Sequence, residues 1–320
     1  MTAVTTPKPT KRPAKEQPSV LFDAPGPRAR MRYRIYTAIS ALVLLAILGV
    51  IVQRMAKEHQ FDSALWHPFI TGTVWTSYLL PGLRVTLTCF AYGSVLALVF
   101  GMVFGLGRLS DHAWIRVPAG AVVEFFRAIP LLLLIFFIFS GPATIMDALG
   151  YVPIDISATA AVAIGLMLYN GSVLAEVFRA GIRAVPRGQS EAAYAIGLRK
   201  SGVMWRILLP QATTAMMPAI VSQLVILLKD SALGFIIGNQ DLLAEGAHII
   251  PLQYHSDYTD NKIPAAIVIA AIYISINLTI SYVANMLERR SRRSRKSSAR
   301  TLSADITVQP TPGVGIGAGT

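Results

Sequence analysis

Cysteine is almost missing from this sequence: Cys89 is the single one among 320 residues, and it lies inside an apolar run. Neither a disulfide framework nor a cysteine-based metal site can be built from one chain of this kind. Charge is scarce as well. Asp, Glu, Lys and Arg make up 14% of the residues, against roughly a quarter in an average soluble domain, while 53% are hydrophobic. That balance excludes an ordinary water-soluble domain and makes lipid the natural solvent. No Gly-Lys pair occurs anywhere, so a Walker-type phosphate loop cannot form. The histidines are scattered, and His248 and His255 lack the spacing of a zincin helix. No metal site is assigned, and no cluster of nucleophile, base and metal ligands is present that would serve a membrane-embedded enzyme.

What charge there is sits at the ends. The formal net charge is +12, of which residues 1–34 carry +6 and residues 288–320 carry +5, leaving a nearly neutral body. Basic tails flanking apolar segments point to anionic headgroups of membrane lipid and to an orientation signal, and away from a nucleic-acid groove. Both tails, 1–34 and 288–320, read as disordered.

Five uncharged runs approach the roughly 20 residues needed to cross a hydrocarbon core: Ile35 to Val52, Val85 to Gly107, Ala128 to Met146, Ile156 to Ala175 and Ile263 to Leu287. A sixth, Ile207 to Leu228, is interrupted by Pro210 and Pro218, which neighbouring helices can accommodate. The first run begins too late and is too long for a secretory signal peptide, and is read as an anchor. The expected fold is all-α and polytopic, with about six transmembrane helices. With both termini cytoplasmic, 24 of the 29 Lys and Arg fall on the cytoplasmic side, as the positive-inside rule demands. The sequence divides at 35–77, a first helix with its outer loop, and 78–287, a transmembrane body with a long cytoplasmic loop at 176–210.

That loop reads EVFRAGIRAVPRGQSEAAYAIGLRKSGVMWRILLP from Glu176 to Pro210. Within it, Glu191-Ala192-Ala193 is followed after three residues by Gly197 and after nine more by Ile207-Leu208-Leu209-Pro210. A short Ala-rich helix has no large side chains, so another protein's groove can approach its backbone, and Gly197 is suited to end or turn it. The alternative is an amphipathic connector lying on the membrane. The spacing resembles the EAA loop of ATP-binding-cassette importer permeases of type I architecture. Three further stretches, EFFRAIP from Glu124, LAEVFRAGI from Leu174 and LLKDSAL from Leu227, resemble polar-amino-acid permeases, most of all the glutamate-type branch. Ala128 and Ile129 stand where that family usually has Gly-Thr, and Leu134 sits near its usual Gln. The resemblance covers roughly residues 78–287.

The resemblance implies a permease subunit of a bacterial cytoplasmic-membrane importer that carries a polar amino acid inward, glutamate favoured, without catalysing a reaction itself. ATP and Mg would belong to separate ATPase subunits. A second permease, identical or homologous, and an extracytoplasmic amino-acid-binding protein would complete the assembly. Carried over from the family, Glu191, Ala192, Ala193, Gly197, Ile207 and Pro210 belong to the element that docks on the ATPase.

Other residues are weighed on their own chemistry. Lys229 and Asp230, with Ser231, precede an uncharged run to Gln240 that is too short to cross alone, which fits a broken or re-entrant segment. Ionisable groups at membrane depth normally face a wet or protein-lined cavity, so these three are candidates for the translocation path. The alternative is that they mark a helix end, with Lys229 snorkelling. Gln223, Asn170 and Ser172 offer hydrogen bonds to a zwitterion or, equally, bonds between helices. Glu124, Arg127, Glu176 and Arg179 form either ion pairs that switch with conformation or interfacial charges. Gly93, Ala97, Gly101 and Gly105 form a small-residue stripe for close helix packing, against this bundle or a second subunit. Two other function classes remain open at this level: an ion-coupled secondary transporter, and an importer permease for another solute.

Overall fold

The computed structural model describes residues 26–249 and 262–304, and of residues 249, 285 and 287–304 the backbone alone. Two compact units divide the chain between Phe61 and Asp62. In the first, α1 (Pro27–Lys57) starts with Pro27 in its first turn, where the missing N–H costs nothing. None of its residues is buried. A helix apolar all round matches a lipid environment.

The second unit is a bundle of helices. Short turns α2 (Ser63–Trp66) and α3 (Gly72–Val74) and a π turn, Trp75–Leu79, lead into α4 (Leu80–Gly107). Next come α5 (Ala113–Ala128) and α6 (Leu131–Ala148), separated by Ile129, which is extended at ψ 129° because the following Pro130 disfavours the helical region. Then follow α7 (Ala158–Arg183), α8 (Arg187–Ala195), α9 (Lys200–Val203), a second π turn at Met204–Leu208 and α10 (Leu209–Asp230). A 3-10 segment, Ser231–Ile237, continues α10; α11 (Leu242–Ile249) and α12 (Lys262–Ala304) complete the described chain.

Six helical stretches among the described residues are long and apolar enough to cross a membrane: Pro27–Lys57, Gly72–Gly107, Leu131–Ala148, Ala158–Arg183, Lys200–Ile237 and Lys262–Ala284. All six expected runs lie within or largely overlap them. The differences are at the ends. The run expected to stop at Leu228 does not stop there, because the backbone narrows to 3-10 and stays helical to Ile237, where Gly238 turns it at φ +78°. No separate re-entrant segment exists at 231–237. Parts of both tails expected to be disordered, 27–34 and 288–304, are helical. Arg, Lys and Ala are good helix formers, and each of these stretches continues a helix already nucleated by an apolar span. The remainders of the tails, 1–25 and 305–320, and His255 lie outside the described residues. Residues 62–77, expected to go with the first helix, belong to the second unit, where Phe69, Val74 and Leu79 pack with Leu242, Ala265 and Ile269.

The core forms around α7. Leu166, Leu174, Phe178 and Ile182 of α7 pack with Cys89 and Ala97 of α4, Ile135 of α6 and Met216 of α10. Gly93, Ala97, Gly101 and Gly105 are all buried, so the stripe faces this bundle. A Cβ added at Gly101 would sit 2.7 Å from Leu174 Cβ, and one at Gly105 2.8 Å from the Ala175 carbonyl oxygen. Such closeness excludes any larger residue without moving a backbone.

At the other end of α4, Thr86 Oγ1 accepts a hydrogen bond from Leu242 N, while Asp241 caps α11 by accepting from Leu243 N and Ala244 N, all at 3.0 Å. Asp241 is fully buried. Burial pushes its carboxyl up to about 6, outweighing the capping N–H groups that pull it down, and nearby Glu245 adds to the rise.

Gly101→Val is therefore expected to lower the thermal stability of the purified chain by about 1–3 kcal/mol. Gly49→Val, in α1 with nothing within 4 Å of the added carbon, should leave the melting curve unmoved; equal effects would contradict the packing assignment. Asp241 holds its proton more tightly folded than unfolded, so its contribution is complete below about pH 4 and is lost as pH rises through about 6. Melting temperatures recorded from pH 4 to 7 should accordingly decline more steeply for the wild type than for Asp241→Asn, which keeps the cap.

Candidate functional site

The long loop that follows α7 folds into α8 and the turns that return the chain to α10. Pro186 precedes α8, whose last turn ends in a paired closure: Gly197 N donates to Tyr194 O at 2.9 Å and Leu198 N to Ala193 O at 3.1 Å. Gly197 stands at φ +82°, with no atom within 4 Å of where a Cβ would lie, which is the Schellman arrangement that favours glycine. Ala193 is buried, while Glu191, Ala192, Tyr194, Ala195 and Ile196 are exposed. The helix thus presents two alanines and a carboxylate outward and holds itself by its opposite side. Gln189 Oε1 accepts from Gln211 Nε2 at 3.4 Å, linking α8 to the first turn of α10. Ile207 is half-buried in the intervening π turn, and Pro210 lies in the first turn of α10.

The second constellation joins the C-terminal ends of α4, α5 and α7. Glu176 forms an ion pair with Arg108, accepts from Arg179 at 2.6 and 2.9 Å, and has Arg127 at 3.9 Å. Arg108 reaches a second carboxylate, Glu124, at 3.0 Å. The four residues expected at helix ends therefore come together, through a fifth that sequence reasoning passed over. Arg108 follows Gly107 directly and lies three residues after the last stripe glycine, and that periodicity is the signal that would have found it. Beside this cluster, Lys200 of α9 pairs with Asp111, and the ammonium holds that carboxyl below its usual range.

Of the path candidates, three form a chain inside the bundle. Gln223 Nε2 donates to Asn170 Oδ1 at 2.5 Å, and Asn170 Nδ2 donates to Asp230 Oδ2 at 3.3 Å. Asn170 is fully buried and Asp230 half-buried. Ser172 and Ser231 bond to backbone carbonyls of their own helices, Leu168 and Leu228, and do not join the chain. Lys229 is exposed and in no ion pair among the described residues. A further cation, Arg84, lies within the second membrane stretch and lines a cavity of about 590 Å³ with Thr76, Thr88 and Thr159. It was overlooked because the apolar run begins one residue later. Among the described residues no group of His, Cys, Asp and Glu is arranged to hold a metal.

Residues 97–293 match the family model of the binding-protein-dependent transport system inner membrane component. A glutamate transport system permease protein of Corynebacterium glutamicum is 40% identical over 260 residues, covering 81% of this chain and 91% of the relative. A probable glutamine ABC transporter permease protein of Bacillus subtilis is 31% identical, over 67% of this chain and 94% of its own. Among solved structures, an amino acid ABC transporter with histidines superposes with a TM-score of 0.59 at 30% identity, over 68% of this chain and 95% of that one. An inward-facing methionine ABC transporter, 18% identical with a TM-score of 0.55 over 69% of this chain and 99% of that one, shares the fold. With the family model spanning more than half of its length, this chain belongs to the binding-protein-dependent transport system inner membrane components, the membrane-spanning permease subunits of ABC importers.

Proposed function

We propose that this chain is one of two permease subunits, identical or related, that together import a polar amino acid, with glutamate the favoured solute. ATP and Mg are handled by ATPase subunits docked on α8, and an extracytoplasmic binding protein delivers the amino acid. The chain sits in a bacterial cytoplasmic membrane with both termini inside. The observation that carries the coupling role is α8 itself: a short, exposed, Ala-rich helix with Glu191 outward, closed by Gly197 in the left-handed region. The name of the relative with 40% identity supports glutamate.

In this reading, closure of the ATPase pair displaces α8. Ala193 and Gln189 pass the displacement to the turns leading into α10, and the short link at 184–186 passes it to α7. These two helices carry Asp230, Gln223 and Asn170, which we place along the path. Glu124, Arg108, Glu176, Arg179 and Arg127 hold the cytoplasmic ends in one arrangement, and the contacts between helices part when those ends separate. Nucleotide acts by binding one arrangement of the partner better than the other, since only differential affinity shifts such an equilibrium.

Proteoliposomes containing this chain, its partner permease, ATPase and binding protein should take up labelled glutamate in preference to glutamine and arginine, and only with ATP inside. Uptake that persists without ATP or the ATPase would replace this reading with a secondary transporter. Glu191→Lys and Gly197→Asp should each abolish co-purification of the ATPase while the chain still inserts into membrane; a variant that keeps its ATPase and transports normally removes α8 from the coupling role.

Glu176→Gln keeps the side chain's shape and leaves three guanidinium groups without their shared carboxylate. It should slow uptake by about tenfold or more, equivalent to roughly 1.4 kcal/mol, and uncouple ATP hydrolysis from transport. Arg127→Gln, at the long edge of the cluster, should do much less. Wild-type uptake in the Glu176 variant would make the cluster a static anchor.

A further inference from the structure

We propose that the cytoplasmic ends of α4 and α7, together with α5, form a binding site for an anionic phospholipid headgroup, whose phosphate is held by Arg116 and Arg183. The inference goes beyond transport and takes from the proposed function only the side of the membrane on which these ends lie. A cavity of about 380 Å³ opens there, lined by Arg108, Arg116, Val117, Glu124, Arg179 and Arg183.

The charges around the cavity are unbalanced in a specific way. Glu124 is engaged by Arg108 at 3.0 Å, and Glu176 behind it is engaged by Arg108 and Arg179. Those two carboxylates are fully engaged by the arginines they touch, Arg108 and Arg179 with Arg127 at 3.9 Å, and leave no negative charge over. Arg116 and Arg183 remain, each in no ion pair among the described residues. Arg116 is held in place because its Nη1 donates to Ser110 O at 3.1 Å and Asp111 O at 3.2 Å; its Nη2 and Nε have no hydrogen-bond partner among the described residues. The Arg183 guanidinium has no hydrogen-bond partner among the described residues. Two guanidinium groups lining one cavity with free donors suit a phosphate, which they can bind bidentately.

The surroundings favour a phosphate attached to a lipid over one free in solution. Helix α5 lies between the membrane stretch that ends at Gly107 and the one that begins at Leu131, and buries only Ala119 and Val123. On its exposed side stand Trp114, Val117 and Phe125, at 74%, 64% and 61% exposure. Val117 lines the cavity itself. A Trp and neighbouring apolar residues beside a basic pocket is what an interfacial helix offers to acyl chain and headgroup together. A dissolved anion would gain nothing from those apolar side chains.

The full-length chain, purified in mild detergent, would be titrated with dioctanoyl phosphatidylglycerol, dioctanoyl phosphatidylcholine and inorganic phosphate, with the rise in melting temperature giving an apparent affinity for each. Phosphatidylglycerol should bind about tenfold or more tightly than phosphatidylcholine, the order expected when two basic side chains meet one anionic headgroup. Arg116→Gln/Arg183→Gln should erase the preference, and Arg116→Lys/Arg183→Lys should keep most of it. Arg183→Gln alone breaks no side-chain hydrogen bond or ion pair among the described residues, so its loss of several-fold in phosphatidylglycerol affinity would stand even if the double variant melted early. Equal affinity for the two lipids, or a preference undiminished in the Gln variants, overturns the site. Inorganic phosphate binding as tightly as phosphatidylglycerol overturns the lipid assignment in favour of a free anion.

Discussion

The parallel packing of α4 on α7 depends on four small residues, and most of what gathers at the C-terminal ends of these helices follows from its register. Gly93 meets Leu166, Gly101 meets Leu174 and Gly105 meets Phe178, the same offset at each contact. In lipid there is no hydrophobic gain from bringing two apolar helices together, so association rests on van der Waals contact and on how closely backbones approach. Removing the side chains at one position in four provides that approach. Gly171 reciprocates from α7, where a Cβ would lie 2.9 Å from Phe100. The seam is therefore built from both sides.

The register of the seam delivers Arg108 to Glu176. Arg108 emerges where α4 ends, three residues past Gly105, and Glu176 adjoins Ala175, whose carbonyl Gly105 approaches. A half-buried carboxylate at a membrane boundary is costly unless it is paired, and here Arg179 from the same helix and Arg108 from the neighbouring one share it. The first partner is fixed by sequence spacing of i and i+3 and moves with Glu176 in any rigid motion. Arg108 and Arg127 lie on other helices, and their contacts alone can break when helix ends separate. A cluster that mixes permanent and breakable partners stabilises one arrangement without ever leaving the carboxylate bare, which is what a reversible switch requires.

Much of this was legible in the sequence, and the remainder was not for definite reasons. Hydropathy located all six spans because each is a long uncharged run, and the turn at Gly197 could be foreseen because one residue type tolerates φ +82° so readily. The ends of spans were harder. Arg and Lys terminate a hydropathy signal but not a helix, so α1 began earlier, α12 extended to Ala304, and Asp230 lay within a continuing helix. The partner of the glycine stripe could not be read, since a stripe specifies closeness and not its neighbour. Arg108 escaped notice because a lone arginine after an apolar run looks like a snorkelling charge; its value comes from a residue 68 positions away, brought near by the seam. Asn170, Gln223 and Asp230 were each legible as polar residues in apolar helices, but that they form one hydrogen-bonded chain is a property of how α7 and α10 face each other.

The same geometry sets how a push at the surface can reach the membrane interior. The α8 helix is attached to α7 by three residues and to α10 by α9 and a π turn, so it cannot move far without moving one of them. The long α7 has its middle locked: 61% of its most apolar stretch is buried, and Gly181 admits Met216 of α10 against its backbone. A displacement of α8 is thus shared between two helices already in tight contact. The π turn at Met204–Leu208 is the part of that route with poorer hydrogen-bond geometry than an α-helix, and Trp205 there is exposed. Compliance is concentrated where α10 begins and stiffness where α7 runs beside α4. In the proposed coupling role, motion of α8 would tilt α10 relative to the α4–α7 pair, and Asp230, whose hydrogen bond to Asn170 crosses that boundary, is the polar group on which such a tilt would act most directly.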